Sequence, residues 1–207
     1  MVGGKQLDGF AELICAELVA AGIPSECIFA QNRKELPGFF RATKRWDIIV
    51  AAFGHLLGAV ELKSQVGSFG NNLNNRVEES VGNAYDFWTA ARERAFGSDI
   101  RPWLGYFFLL QEKHGKGGSM SGVRVAEHHF QVFPEFRDAS HAQRMEEACR
   151  RMVREGLYDA TWFLLSAEDA SFREPAPTLG ADIFLDSLVA NVHAKYVAAA
   201  ELSGSRS

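Results

Sequence analysis

The period of hydrophobic and polar positions changes several times along the chain, and each change marks an element. In "LDGFAELICAELVAAG", Phe10, Leu13, Ile14, Leu18 and Val19 recur near helical spacing, and Gly22 with Pro24 closes a first helix. A basic loop follows. "RWDIIVAAFGHLLGAVELKSQV" then holds two apolar runs around Gly54 and His55. A two-residue turn there predicts a β-hairpin that pairs Asp47 with Leu62. After an Asn-rich loop, "NNRVEESVGNAYDFWTAARERAF" carries Val77, Val81, Ala84, Tyr85, Trp88 and Ala91 on one helical stripe, with Asn74 or Asn75 as N-cap.

The continuous apolar content of "RPWLGYFFLLQE" predicts a buried strand, and "KHGKGGSMSG" reads as a polar, mobile Gly-rich loop. Met145, Ala148, Cys149, Met152 and Val153 then define an amphipathic helix closed at Gly156. A strand from about 158 to 165, a last helix from about 180 to 200 and a frayed tail over 201–207 complete the chain. A hairpin followed by alternating strands and helices predicts an α/β fold: a three-layer sandwich with a mixed central sheet flanked by helices. No internal repeat or linker interrupts residues 1–207, so a single domain is expected.

Composition narrows the class. An apolar fraction of 47% with 23% charged residues fits a packed globule. Cys15, Cys27 and Cys149 are scattered without ligand spacing, as reduced core thiols are. No run approaches the roughly 20 apolar residues of a membrane span, and no leader opens the chain, so a cytoplasmic location is expected. A net charge of −4 argues against a nucleic-acid partner in general. Locally the balance reverses, because Arg33, Lys34, Arg41, Lys44 and Arg45 stand against Glu35 alone between Gln31 and Trp46.

One strand has a polar composition that burial does not explain. In "GAVELKSQV", Glu61 and Lys63 are two apart and share a face, while Val60 and Leu62 point the other way. The hairpin brings Asp47 diagonally beside Glu61. Two adjacent carboxylates raise each other's pKa, a cost that a hard divalent cation between them removes. Magnesium takes such a set, completed by water and phosphate oxygens. A lysine beside it can orient or deprotonate a water and offset charge developing on phosphorus. An E-x-K spacing alone arises about once by chance in a chain of this size. Here the sole instance lies in an apolar strand, with an Asp on the hairpin partner and an acid-bearing helix before both. Asp47, Glu61 and Lys63 thereby match the D-x(n)-E-x-K signature of the PD-(D/E)xK nuclease fold, so the sandwich is expected to be restriction-endonuclease-like.

A more particular likeness lies next to it. "ELKSQVGSFGNNLNNRVEESVGNAYDFWTAARE" closely resembles the region after the catalytic strand in the XhoI family of type II restriction endonucleases, and "GGKQLDGFAELI" and "CRRMVREGLYDATWFLLS" extend the likeness. The resemblance implies a homodimer that uses Mg2+ to cut double-stranded DNA at a palindrome of the CTCGAG type and leaves 5′-phosphates. It also implies a companion DNA methyltransferase in the same cell. It assigns Asp47, Glu61 and Lys63 as the catalytic set and Asp47 and Glu61 as metal ligands with Glu12 on the first helix as a further candidate, while Gln65, one strand step past Lys63, is a candidate for bordering the metal site and for contacting DNA. The likeness begins almost at Met1, where family members carry additional N-terminal sequence. If that segment contributes to DNA grip or dimerisation, activity or specificity is expected to differ.

Independently of the resemblance, Asn71, Asn72, Asn74, Asn75 and Arg76 suit base reading, since amides bond bidentately to adenine and Arg to guanine. Asn and Gly also build turns and caps on their own account. Lys116 and Arg124, with Lys113 and His114, flank the Gly-rich loop, which could close on DNA. His128 and His129 are adjacent and would point apart, so shared chelation is not expected. Arg144, Arg150, Arg151 and Arg154 alternate with Glu146, Glu147 and Glu155, as on a solvated helical face. Phe87, Trp88, Trp103, Phe107, Phe108, Trp162 and Phe163 are read as core. Two other classes share the signature or the basic stretch: a PD-(D/E)xK nuclease of repair or recombination that selects DNA structure, and a catalytically silent DNA-binding protein.

Overall fold

The computed structural model of the protein describes residues 3–97 and 100–204. Its elements, in chain order, are α1 (Gly3–Ala20), β1 (Ile28–Phe29), β2 (Glu35–Pro37), β3 (Thr43–Arg45), β4 (Ile48–Ala52), β5 (His55–Gln65), α2 (Phe69–Arg92), β6 (Trp103–Gln111), α3 (His141–Arg154), β7 (Ala160–Ser166), β8 (Phe172–Arg173) and α4 (Ala181–Gly204). Six strands form one sheet in the order β1-β4-β5-β6-β7-β8, and β2 and β3 make a separate hairpin. Pairing is antiparallel from β1 to β5, parallel through β5, β6 and β7, and antiparallel again at β8.

The layers follow from side-chain alternation. Ala59, Leu104, Tyr106, Phe108, Leu110 and Phe163 point to one face, where α2 brings Leu73 and Phe87 and α3 brings Met145 and Met152. Leu57, Val60, Trp103, Phe107 and Trp162 point to the other, against Ile14 and Leu18 of α1 and Phe184, Leu188 and Val192 of α4. Strands buried on both faces read as continuous apolar runs, and β6 is one. The expected α/β sandwich with a mixed sheet and flanking helices is present. The aromatics assigned to the core are there, Trp88 partly buried.

Several expectations are corrected. The hairpin turns at Phe53-Gly54, one residue earlier than expected, because both adopt positive φ, 52° and 78°, as a tight hairpin turn requires. The register then shifts between Val50 and Ala51, so that Val50 pairs with Gly58 but Ala51 with Leu56. One step beyond Ile48↔Val60, Asp47 is carried level with Glu61 rather than Leu62.

The Asn-rich stretch is helix, not loop. α2 begins at Phe69 with Ser68 as N-cap, which places Asn71, Asn72, Asn74 and Asn75 in its first two turns and removes Asn74 and Asn75 as caps. Phe69 and Leu73, four apart, are buried together, and that packing outweighs the weak helical propensity of Asn. Farther along, Val81 and Tyr85 are exposed instead of lying on the core stripe, where Ser80 and Phe87 sit. The Gly-rich loop is tied down around the buried Ser119, whose Oγ donates to Gln111 O at 2.6 Å and accepts from Lys113 N at 2.9 Å. α4 continues to Gly204, past the expected start of the tail at 201, and residues 205–207 lie outside the described residues.

Candidate active site

Asp47 precedes β4 by one residue, and Glu61, Lys63 and Gln65 alternate along β5 with the inward-pointing Val60 and Leu62. These polar groups therefore project to the α2/α3 face, in line with Ala59. Glu61 is only 2% exposed. Burying a carboxylate so deeply requires compensation, and two lysines supply it. Lys44 Nζ donates to Glu61 Oε2 at 2.7 Å, and Lys63 Nζ pairs with Oε1. Lys44 comes from β3, lies 4.2 Å above the Trp46 ring, and is 10% exposed, against 28% for Lys63.

Asp47 is held differently. Its backbone N–H donates to Val60 O at 3.2 Å, and its Oδ2 accepts from Leu62 N at 2.7 Å. Oδ1 carries no hydrogen bond among the described residues. Burial, and next the negative charge of Glu61, push the Asp47 carboxyl above the usual carboxylate range, while the Leu62 N–H and Lys63 pull it back. Burial likewise lowers the Lys44 ammonium, opposed by Glu61. Two acids and two lysines thus balance in charge over one patch of sheet. The donor set fits a hard divalent cation: two neighbouring carboxylates, one with an oxygen lacking a protein partner, and an acid whose charged form is disfavoured as it stands.

The remaining predicted residues are dispersed. Glu12 is exposed on α1, which packs on the opposite face of the sheet, so it does not join Asp47 and Glu61. No group of three His, Cys, Asp or Glu side chains suited to a metal occurs among the described residues, His128 and His129 included. Gln65 is buried on the same face as Glu61, donates to Ser68 O at 3.3 Å, and leaves its own Oε1 unpartnered. Asn72 is half-buried, Asn74 and Asn75 are exposed, and the side chain of Asn71 lies outside the described residues. Arg76 pairs with Glu79 at 2.6 Å. Lys116 and Arg124 are exposed. On α3, Arg150 pairs with Glu146 and Arg151 with Glu147 four residues apart, as read from the alternation, while Arg144 instead donates to the carbonyls of Ala139 and Val123.

Sequence reasoning missed Lys44 as a member of the site. Its one local signal is the Lys44-x-Trp46 spacing, which places the ammonium and the indole on one side of an extended chain just before Asp47.

Comparison with known proteins identifies the family of the chain. The family model for restriction endonuclease XhoI matches residues 1–176. The chain is 46% identical over 202 residues to the type II restriction enzyme BstVI of Geobacillus stearothermophilus, covering 93% of this chain and 89% of that protein. It is 40% identical over 185 residues to the type II restriction enzyme XhoI of Xanthomonas vasicola, covering 84% and 73%. It is also 46% identical over 110 residues to the type II restriction enzyme AbrI of Azospirillum brasilense, covering 52% and 50%. No solved structure matches the chain significantly. With an acid on each arm of the β4–β5 hairpin and a lysine two residues past the second, the chain belongs to the XhoI family of type II restriction endonucleases.

Proposed function

We infer that this endonuclease hydrolyses both strands of double-stranded DNA at a palindrome of the CTCGAG type, as a Mg2+-dependent homodimer acting in the cytoplasm, and leaves 5′-phosphates. The observation that carries the chemistry is the pairing of the buried Glu61 with Lys63 beside an Asp47 carboxyl whose ionised form is disfavoured. Asp47 and Glu61 would hold the cation. Bound there, a divalent ion supplies acidification of a water and positive charge opposite the scissile phosphate.

The protein's own groups do the positioning. Lys44 anchors Oε2 of Glu61 from a packed, nearly buried site, which fixes the carboxylate plane. Lys63 is the more exposed of the two lysines, and its ammonium is placed to release Oε1, orient the attacking water and counter charge on the pentacovalent phosphorus. In-line attack then expels the 3′ oxygen. A symmetric site and two cuts ask for two subunits related by a twofold axis. A companion methyltransferase would protect the same palindrome in the cell.

The test is a linear duplex with one CTCGAG site, incubated with protein and Mg2+. Discrete products with 5′-phosphates are expected, with no cleavage in Lys63→Ala or Asp47→Ala although both fold and bind the duplex. Cleavage that depends on DNA structure rather than sequence, or intact substrate beside a salt-dependent gel shift, would overturn the reading.

A further inference from the structure

The β2–β3 hairpin ends in Gly38-Phe39-Phe40-Arg41-Ala42, where two large apolar side chains sit with no core to join. Phe39 is 51% exposed and Phe40 64%, and they meet edge to face with centroids 5.0 Å apart. Phe40 also stacks at 5.8 Å on Tyr85 of α2, itself 55% exposed. Isolated exposed apolar residues need no explanation, but a contiguous aromatic patch does.

This patch is built, not left over. Asp86 of α2 is 3% exposed. Its Oδ1 accepts from the backbone N–H groups of both Phe39 and Phe40, at 2.9 and 2.8 Å, and its Oδ2 pairs with Arg41 Nε at 2.9 Å. Arg41 donates further to Asn83 Oδ1 at 3.1 Å. Gly38 permits this approach, since a Cβ there would lie 2.7 Å from Asp86 Oδ2. A buried carboxylate is thus committed to holding a surface tip in one shape, with both rings more than half exposed.

Position and charge indicate what the tip meets. Phe40 is four residues from Lys44, whose Nζ touches Glu61, so chain geometry keeps the Phe40 and Lys44 backbones within about 14 Å, and the Lys44 side chain adds roughly 6 Å, which puts the tip within about six base-pair steps of the site. Along the hairpin Arg33, Lys34, Arg41, Lys44 and Arg45 outnumber Glu35 and the two buried acids they pair with, Asp86 and Glu61, and Arg33, Arg41 and Arg45 are exposed. That surface complements phosphates. A second copy docked on it about a twofold axis would bring like charges together.

We propose that the Phe39–Phe40 tip is a DNA-engaging wedge, which inserts its rings against a base step beside the cut and partly unstacks it while the surrounding cations hold the backbone. The proposal rests on the nuclease reading above and adds a distortion of the substrate to it. Apolar side chains that enter a groove in this way unstack a step and kink the duplex.

The test uses the protein in a Lys63→Ala background, with 2-aminopurine placed in turn at each step within six of the cut. The parent is expected to raise fluorescence at one step on binding. The double variant Phe39→Ala/Phe40→Ala is expected to lose that signal and at least tenfold in affinity, with the slope of log Kd against log salt unchanged because no phosphate contact is removed. Arg33→Ala and Arg45→Ala are expected to lower that slope instead. Both rings are exposed, and a melting curve confirms that the double variant folds. If that variant binds and perturbs the base as its parent does, the wedge is overturned while the nuclease reading stands. Conversion of a DNA-free dimer to monomer by the double variant, in light scattering, would assign the patch to a second copy and overturn it as well. If wild-type protein neither binds nor cuts the duplex, both readings fall.

Discussion

Lys44→Met isolates the charge balance of the site. Methionine keeps an unbranched stem against Trp46 and removes the ammonium that holds Glu61 Oε2 at 2.7 Å. The patch then changes from two acids against two lysines to two against one. A cation coordinated by the same carboxylate, at the usual Mg–O distance, lies about 5 Å from the Lys44 ammonium. Repulsion between charges of +2 and +1 at that distance is about 1.7 kcal/mol even at the dielectric constant of water, and larger at a site that is mostly buried. Since 1.4 kcal/mol is a factor of ten, the variant is expected to bind divalent ion without DNA at least about tenfold more tightly than wild type. Titration calorimetry with Mn2+ on DNA-free protein at low ionic strength measures this directly. Cleavage should nevertheless slow, because Glu61 loses its anchor. A dissociation constant within twofold of wild type, or a weaker one, would refute the placement of the cation at Glu61 and the competing role of Lys44.

Three further outcomes are expected. The Asp47 carboxyl lies above its unfolded pKa, so folding takes up a proton and the associated stability is lost as pH rises from about 4 through the raised value. Asp47→Asn should therefore melt higher than wild type at pH 7, with the difference shrinking toward pH 4, and thermal melts across that range that fail to converge would refute the assignment. Asp86→Ala removes the Arg41 ion pair and two charge-assisted backbone bonds from the tip, the two bonds worth about 3–6 kcal/mol together, and should raise amide exchange at Phe39 and Phe40 about 100-fold or more by NMR; unchanged protection would show that the tip does not depend on Asp86. Burial pushes the Cys149 thiol up to about 12, so iodoacetamide at pH 8 should leave it unmodified in the native protein and modify it in guanidinium, and labelling as fast as that of the part-exposed Cys27 would contradict the packing of α3.

Local order carried much of this protein. The period-2 placement of Glu61 and Lys63 required only that β5 be a strand, and the apolar run from Leu56 to Val60 ensured that. The apolar run of β6 and the spacing of α3 likewise announced which faces would be buried, because strand and helix periods are properties of a few consecutive residues. Other features depended on partners distant in sequence. A bulge between Val50 and Ala51 and a turn one residue early brought Asp47 level with Glu61, and local pattern does not reveal how a register slip is absorbed. Asparagines that favour loops became helical because Phe69 and Leu73 had a core to enter. Lys44 looked like one charge in a basic loop until the hairpin folded it over β5, 17 residues on, where its charge has a buried partner. Asp86 and Phe40, 46 residues apart, acquired a joint role in the same way. Hydrophobic period is written in neighbours, whereas the pairing of buried charges exists only once burial has made an unpaired charge too costly to leave.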